Sequence, residues 1–281
     1  EYYSIKSSHM IIKLVPTGGL GNRMRAIASA IAIAQHYQAS LEILWNERKG
    51  LNANFEQLFL PIDSPSVHVV TNKSWLYNIE FRKEYLLRLP LLKLVSTKIL
   101  YNYNLYDEKD KNVYQVIGKK PPRNLLLVSG STMCKGYNMK DTFVPCDKIR
   151  RDIDKVFALF SENTIGVHIR RTDNKESIRL SPLEDFYMRM ENEIAKDSNV
   201  KFYIATDDDA VKHEMIRRFP QRIITQFEKS ERDSLEGMEF AVNDLYCLSK
   251  TKKIIGSLYS SYSHIASELG GIPIEYATKK K

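Results

Sequence analysis

Five short apolar runs in the second half of the chain, TIGVHIR, KFYIATD, RIITQ, KIIGS and IPIEY, alternate with four stretches of helical periodicity. Those stretches begin near Pro182, Asp208, Ser234 and Ser260. Strands that alternate with helices of roughly ten to fifteen residues point to a parallel sheet covered by helices. Parallel neighbours cannot be joined by a tight hairpin, so each needs a crossover, and a helix supplies it. The start repeats the pattern: IIKLVP is an apolar run, TGGLGN is glycine-rich, RMRAIASAIAIAQHYQ is helical and LEILW is a second strand. In that helix Met24, Ile27, Ile31 and Ala34 fall at three- and four-residue steps and define one apolar face.

The chain reads as α/β throughout. Its 281 residues suit two domains better than one. A boundary near Ser161, after the helical stretch IRRDIDKVFALF, gives an N-terminal α/β domain over 10–160 and a C-terminal one over 161–281. Two such halves imply a site in a cleft between them, at the carboxyl ends of strands. SSHM at Ser7–Met10 resembles a cloning scar, and the residues before Met10 are left out of the fold reading.

Between 46 and 147 the pattern weakens. FRKEYLLRLPLLKLVSTKILYNYNLY, residues 81–106, is leucine-rich and basic, and Pro90 predicts two helical pieces separated at the proline. Packing of that segment against the first sheet is the plain expectation; peripheral association with a membrane is the alternative for a basic amphipathic helix. KKPPRN at Lys119–Asn124 reads as a loop, and NLLLVSG as a strand.

Composition narrows the function class. No apolar run approaches the ~20 residues of a membrane span, and no secretory h-region opens the chain, so a cytoplasmic protein is expected. Cys134, Cys146 and Cys247 are odd in number and lack CxxC spacing, which disfavours a disulfide framework or a zinc site. The net charge of +8 favours an anionic partner. Basic residues are scattered instead of forming a stripe with interleaved aromatics, so nucleic acid is not expected among the partners.

Four segments could carry chemistry. GGLGN lies between a strand and a helix, where Gly19, Gly21 and Asn22 would let backbone N–H groups approach an anion. It matches neither GxGxxG nor GxxxxGK[ST], and a purely structural tight turn explains it equally well. In IGVHIRRTDNKESI, extended geometry puts His168, Arg170 and Thr172 on one side and Arg171 and Asp173 on the other. Arginine offers a planar fork for phosphate oxygens, so Arg170 is read as a ligand contact. Arg171 could equally support the loop by pairing with a carboxylate, and His168 could be a satisfied buried ring. In FYIATDDD, Asp207 and Asp208 close a strand and open a helix; N-capping explains at least one, and a metal would need a third ligand that is not evident. In NDLYCLSKTKKIIGSLYSSYSHIASELGG, Asp244 is an acid in a mostly apolar helix and needs a partner. Ser260, Ser261 and Ser263 open a helix whose N–H groups could cap, hold a phosphate, or both.

Together, VHIRRTD, FYIATDD and NDLYCLSKTKKIIGSLYSSYSHIASE resemble, in that order and spacing, the GDP-fucose-dependent fucosyltransferases. The nearest parallel is the α-1,6 group that includes nodulation-factor and N-glycan core enzymes. The resemblance covers most of Ile165–Glu268, and GGLGNRMR is a looser match. It implies a GT-B-like fold of two Rossmann-like α/β domains with parallel sheets facing a central cleft. The implied enzyme is metal-independent and inverting, needs no cofactor, and binds its nucleotide-sugar donor mainly through the C-terminal domain. By position, the resemblance assigns His168 and Asp244 to guanine and Arg170 and Ser260 to the β-phosphate, with Ser261 counted among the donor contacts. It assigns Asp207 and Asp208 to the shape of the donor pocket, and Arg171 and Asp173 to the loop. Gly19, Gly21 and Asn22 join the donor contacts on the looser match.

The loop after Asp173 departs from the family pattern, with Asn174 where those enzymes carry a lysine, then Lys175 and Glu176 in a loop one residue shorter. The large helical region and appended domain of the animal enzymes have no counterpart, which leaves the glycan acceptor unassigned. Breaking a sugar–diphosphate bond builds negative charge on the leaving β-phosphate, which Arg170, Ser260 and backbone N–H groups would meet. Glu176 is the expected base for the acceptor hydroxyl, with Lys175 orienting it. A protein that binds GDP or its sugars for regulation, without transfer, is the competing reading.

Overall fold

The apolar run at Ile11 forms the middle strand of a five-stranded sheet. β1 (Ile11–Pro16) is followed by α1 (Leu20–Tyr37), β2 (Ser40–Trp45), the short α2 (Phe55–Leu58) and β3 (Val67–Thr71). Then come α3 (Arg82–Val95), β4 (Lys98–Tyr101), α4 (Val113–Ile117) and β5 (Asn124–Ser129). The strand order is β3-β2-β1-β5-β4, with every pairing parallel. In α1 the predicted face of Met24, Ile27, Ile31 and Ala34 is buried. The helix ends where Gln38 turns left-handed (φ 50°) and its N–H reaches the carbonyls of Ala34 and Gln35.

This computed structural model describes residues 10–48, 50–103, 112–172, 174–227 and 233–278. The chain divides into two units, Glu1–Val144 and Pro145–Lys281. The second begins with α5 (Asp147–Phe157), which packs on the helix Leu235–Ser249 of that unit although it precedes the boundary expected near Ser161. The order continues β6 (Ile165–Ile169), α6 (Lys175–Leu180), α7 (Leu183–Lys196), β7 (Phe202–Thr206), α8 (Asp209–Arg218) and β8 (Ile223–Thr225). It closes with α9 (Leu235–Ser249), β9 (Ile254–Gly256), α10 (Ser261–Gly270) and β10 (Ile274–Tyr276). The sheet order is β10-β9-β6-β7-β8, again all parallel. Pro182, Asp208, Ser234 and Ser260, the residues expected to open helices, are the N-cap residues of α7, α8, α9 and α10.

Burial explains why these strands read as continuous apolar runs. Val167, Ile169, Phe202 and Ile255 have no exposed surface, and each such side chain contributes roughly 1.5–3 kcal/mol when fully buried. Helices on both faces leave only the strand ends for polar residues. Cys134, Cys146 and Cys247 form no disulfide with one another.

The leucine-rich segment corrects the sequence reading. One helix, α3, runs through Pro90 instead of breaking there, and the expected second helical piece gives way to the edge strand β4. Pro90 removes the N–H that would bond the carbonyl of Leu86. Both residues are exposed, so water can serve that carbonyl and no buried orphan results. The inner side of α3 places Leu92 among Val15, Leu44, Ile79, Leu126 and Val128.

Candidate functional site

Each unit places one of the motif loops where its strand order reverses. From β6 the chain moves outward through β7 and β8, then returns to β9 on the other side of β6. The carboxyl ends of β6 and β9 are therefore where an open α/β sheet leaves room for a ligand. Arg170–Thr172 follow β6, Asp207 and Asp208 follow β7, and Ser257–Ser260 follow β9.

Asp207 is the hub of that end. Its carboxylate accepts hydrogen bonds from the Arg171 N–H (2.7 Å), the Thr172 hydroxyl (2.7 Å) and, more weakly, the Thr172 N–H (3.4 Å). The Arg170 guanidinium pairs with it at 3.1 Å, with 16% of the arginine side chain and 14% of the aspartate exposed. Arg170 is thus held at the strand ends and not splayed over an outer surface. Burial alone would raise the Asp207 pKa; the Thr172 hydrogen bond, the Arg170 charge and the Arg171 N–H outweigh it and hold the carboxyl below its ordinary value. The Arg170 N–H donates to Ser257 Oγ (2.9 Å), which ties β6 to β9.

Arg171 points the other way, as strand alternation requires. Its guanidinium donates to the carbonyl of Ser181 (2.9 Å) and lies over the Phe186 ring. Burial lowers its pKa. Its partner is a carbonyl where the sequence reading offered a carboxylate. Asp173 lies outside the described residues. Asp208 caps α8, accepting from the Ala210 N–H at 2.9 Å.

His168 is buried, with Nδ1 2.7 Å from Ser263 Oγ and its ring 4.9 Å from that of Tyr262. Its ladder partner is Gly256, where an added Cβ would fall 2.8 Å from the Ser263 side chain. Glycine at 256 is what lets α10 approach closely enough for Ser263 to reach His168. Asp244 is also buried, on α9, and accepts a hydrogen bond from the Tyr203 hydroxyl. Tyr203 in turn accepts from Gln226 Nε2 (2.6 Å), and its own ionisation is pushed far up by burial and the neighbouring carboxylate. Ser260 stands at the N-cap of α10 without a side-chain capping bond, half-buried beside Ser261. The first-turn N–H groups of this ten-residue helix give that end a positive potential.

The loop after Asp173 is arranged differently. Asn174 caps α6 through the Ser177 N–H (3.0 Å) and donates to the carbonyl of Tyr259 (3.2 Å), so it touches the loop after β9. Lys175 and Glu176 are exposed. Glu176 pairs with Arg179 at 2.7 Å, which holds its carboxyl below the ordinary range.

In the first unit the glycine loop follows β1, where β2 and β5 flank the middle strand. Gly18 adopts φ +80°, and an added Cβ would meet Asn22 Nδ2 at 2.7 Å. Its N–H already serves a carboxylate, Glu80 Oε1 at 2.7 Å. Gly19 is the exposed N-cap of α1, Gly21 is buried in the first turn, and Asn22 accepts from Arg25 (2.8 Å). Arg23 is fully buried, donating to the carbonyls of Gly18 (3.0 Å) and Asn46 (2.6 Å) against the Trp45 ring. Burial pushes its pKa down to about 10.

Sequence reasoning passed over Arg23, Tyr203 and Ser257, and left Ser263 without a partner. Tyr203 was discoverable, because in FYIAT it alternates with Phe202 and Ile204 and so faces the side on which α9 packs. Among the described residues, no three His, Cys, Asp or Glu side chains gather as metal ligands would.

The fold is that of GT-B-like fucosyltransferases, two α/β units each on a parallel five-stranded sheet. Similar solved structures include NodZ α-1,6-fucosyltransferase soaked with GDP-fucose, with TM-score 0.63 and 20% identity over 93% of this chain and 92% of that one. A point mutant of Arabidopsis thaliana FUT1 in complex with GDP matches with TM-score 0.59 and 14% identity, over 95% of this chain and 70% of that one. POFUT1 in complex with GDP matches with TM-score 0.56 and 13% identity, over 96% and 98%. No protein-family model and no curated protein matches the sequence.

Proposed function

We propose that the chain transfers L-fucose from GDP-fucose to a hydroxyl of a glycan acceptor, with inversion at the anomeric carbon and without a metal. The observation that carries this is Arg170, fixed by Asp207 at the reversal point of the second sheet, on a fold shared with proteins solved with GDP or GDP-fucose. A departing diphosphate needs a preorganised cation, and a guanidinium locked by a carboxylate reorganises little when charge develops. Ser260 and Ser261, at the positive end of α10, supply further donors to the same phosphate. The Ser260 hydroxyl makes no capping hydrogen bond, which supports the assignment.

His168 and Asp244 are assigned to guanine, each already oriented by a neighbour, Ser263 and Tyr203. Asp207 and Asp208 shape the pocket: one builds the arginine loop, the other fixes the start of α8. Their separate engagements support a metal-free reading. Arg171 and Asp173 belong to the loop, and Gly19, Gly21 and Asn22 add backbone and amide contacts to the donor. Glu176 is the acceptor base and Lys175 its companion. To serve, Glu176 must exchange Arg179 for the acceptor hydroxyl, and exposed pairs of this kind break readily.

A thermal-shift screen of GDP-fucose, GDP-mannose and UDP-sugars, followed by measurement of GDP release with glycan acceptors, tests the reading. Stabilisation by GDP-fucose and acceptor-dependent GDP release are expected. Preferential stabilisation by a UDP-sugar overturns the donor. GDP-fucose binding without release across acceptors favours the regulatory reading, for which the engaged Glu176 is the supporting observation.

A further inference from the structure

The helix α3 is apolar on two sides. Its inner side docks Leu92 in the core. On its outer side Leu87, Pro90, Leu91 and Leu94 recur at i, i+3, i+4 and i+7, the spacing of a continuous stripe. That stripe faces water: Leu94 is 81% exposed, Leu87 69% and Leu91 48%. Two aromatic side chains near the helix are also exposed, Phe81 at the N-cap and Trp75, whose ring lies against Arg88 on the inner side of the helix. An outward stripe on this scale is unusual for a surface that meets only solvent.

Among the described residues, the exposed charges on the helix have one sign. Arg82, Lys83 and Lys93 are exposed on the helix. Its only acid, Glu84, is turned back to accept from the Glu80 and Phe81 N–H groups, and Glu80 pairs with Arg48. A second copy of the same face would bring these cations against each other, which disfavours self-association. The stripe lies on a single helix, and recognition of a partner's helix rests on a groove, whereas a lone apolar helix face suits the boundary of a lipid layer. Leucines flanked by cations match the interfacial zone of an anionic bilayer.

We propose that the outer face of α3 docks the protein on an anionic phospholipid surface, with Leu87, Leu91 and Leu94 in the acyl boundary and Arg82, Lys83 and Lys93 among the headgroups. This docking is independent of the donor reading, and its test involves no turnover.

The full chain would be sedimented with vesicles of phosphatidylcholine containing about one-third phosphatidylserine, and with pure phosphatidylcholine vesicles. Binding to the anionic vesicles, weakened by salt, is expected, with little binding to the neutral ones. Lys83→Glu/Lys93→Glu should weaken it by at least roughly twenty-fold. Leu87→Ser/Leu94→Ser should weaken it at least tenfold, on the order expected for two lost apolar anchors. Both pairs are exposed, and unchanged circular dichroism verifies that the variants fold. No wild-type binding to anionic vesicles, or equal binding by the leucine variant, overturns the proposal. So does a concentration-dependent dimer in sedimentation velocity that the leucine variant abolishes, because the stripe then belongs to a second copy.

Discussion

The Asp207 carboxylate gathers donors from three consecutive residues, Arg170, Arg171 and Thr172, and so fixes the loop at the end of its strand. Its folded pKa is depressed, so its contribution is fully present above the unfolded value of about 3.9 and is lost as pH falls through the folded value. Asp207→Asn should therefore cost about 1–2 kcal/mol at neutral pH. The gap to the wild type should close in acid, as followed by urea unfolding at pH 7 and below pH ~3. An equal gap at both pH values would mean that the charge is not what orders the loop. Arg170→Ala should leave the circular dichroism spectrum unchanged and lower transfer on the order of a hundred-fold, the worth of one well-aimed donor to a developing oxyanion. Near-normal turnover in that folded variant would remove the arginine from the chemistry. Glu176→Gln should reduce kcat with little change in donor affinity, and unchanged kcat would move the base elsewhere.

Between elements, the approach of α10 to β6 depends on what Gly256 lacks. Gly256→Ala forces Ser263 aside and should cost about 1–3 kcal/mol as an overpacking strain. Gly19→Ala adds a Cβ that meets nothing and should change thermal stability little. A Gly256→Ala protein as stable as the wild type would show that α10 is not held in this register. The elements that sequence made legible are those whose starts and faces carry independent local signals. The N-caps of α7 to α10 and the single apolar face of α1 are of that kind. α3 was misread because its leucines occupy two faces, and a proline on a wet face is tolerated where a buried one would break the helix. At the candidate site, the position of Arg170 at a strand end was legible from the apolar run before it. Its pairing with Asp207 was not, because that depends on which strands are neighbours and in what register. Ser263 on His168 likewise needed the β6–β9 pairing that puts Gly256 between them.

Across the molecule, the two units carry related sheets, β3-β2-β1-β5-β4 and, from the opposite edge, β8-β7-β6-β9-β10. Each presents a loop at its middle strand, but the two loops differ in electrostatics. The Gly18 N–H is committed to Glu80, an acid, whereas the loop after β6 offers Arg170 and the loop after β9 the N-terminus of α10. That asymmetry supports placing the diphosphate on the second unit. The sequence foretold two α/β halves because alternation of strands and helices is local; the acceptor stayed illegible because no motif of the first unit specifies a sugar hydroxyl. No helix among the described residues is long and apolar enough to cross a membrane; the docking proposed for α3 lies along the bilayer surface.

The central claim is that Arg170 meets a β-phosphate, and calorimetric titration of GDP and GMP into the wild type and Arg170→Ala tests it most directly. The wild type should prefer GDP by at least about tenfold, as a charge-assisted hydrogen bond of roughly 1.5–3 kcal/mol requires. That preference should largely vanish in the variant while GMP affinity holds. A variant that keeps the full preference for GDP would contradict the account.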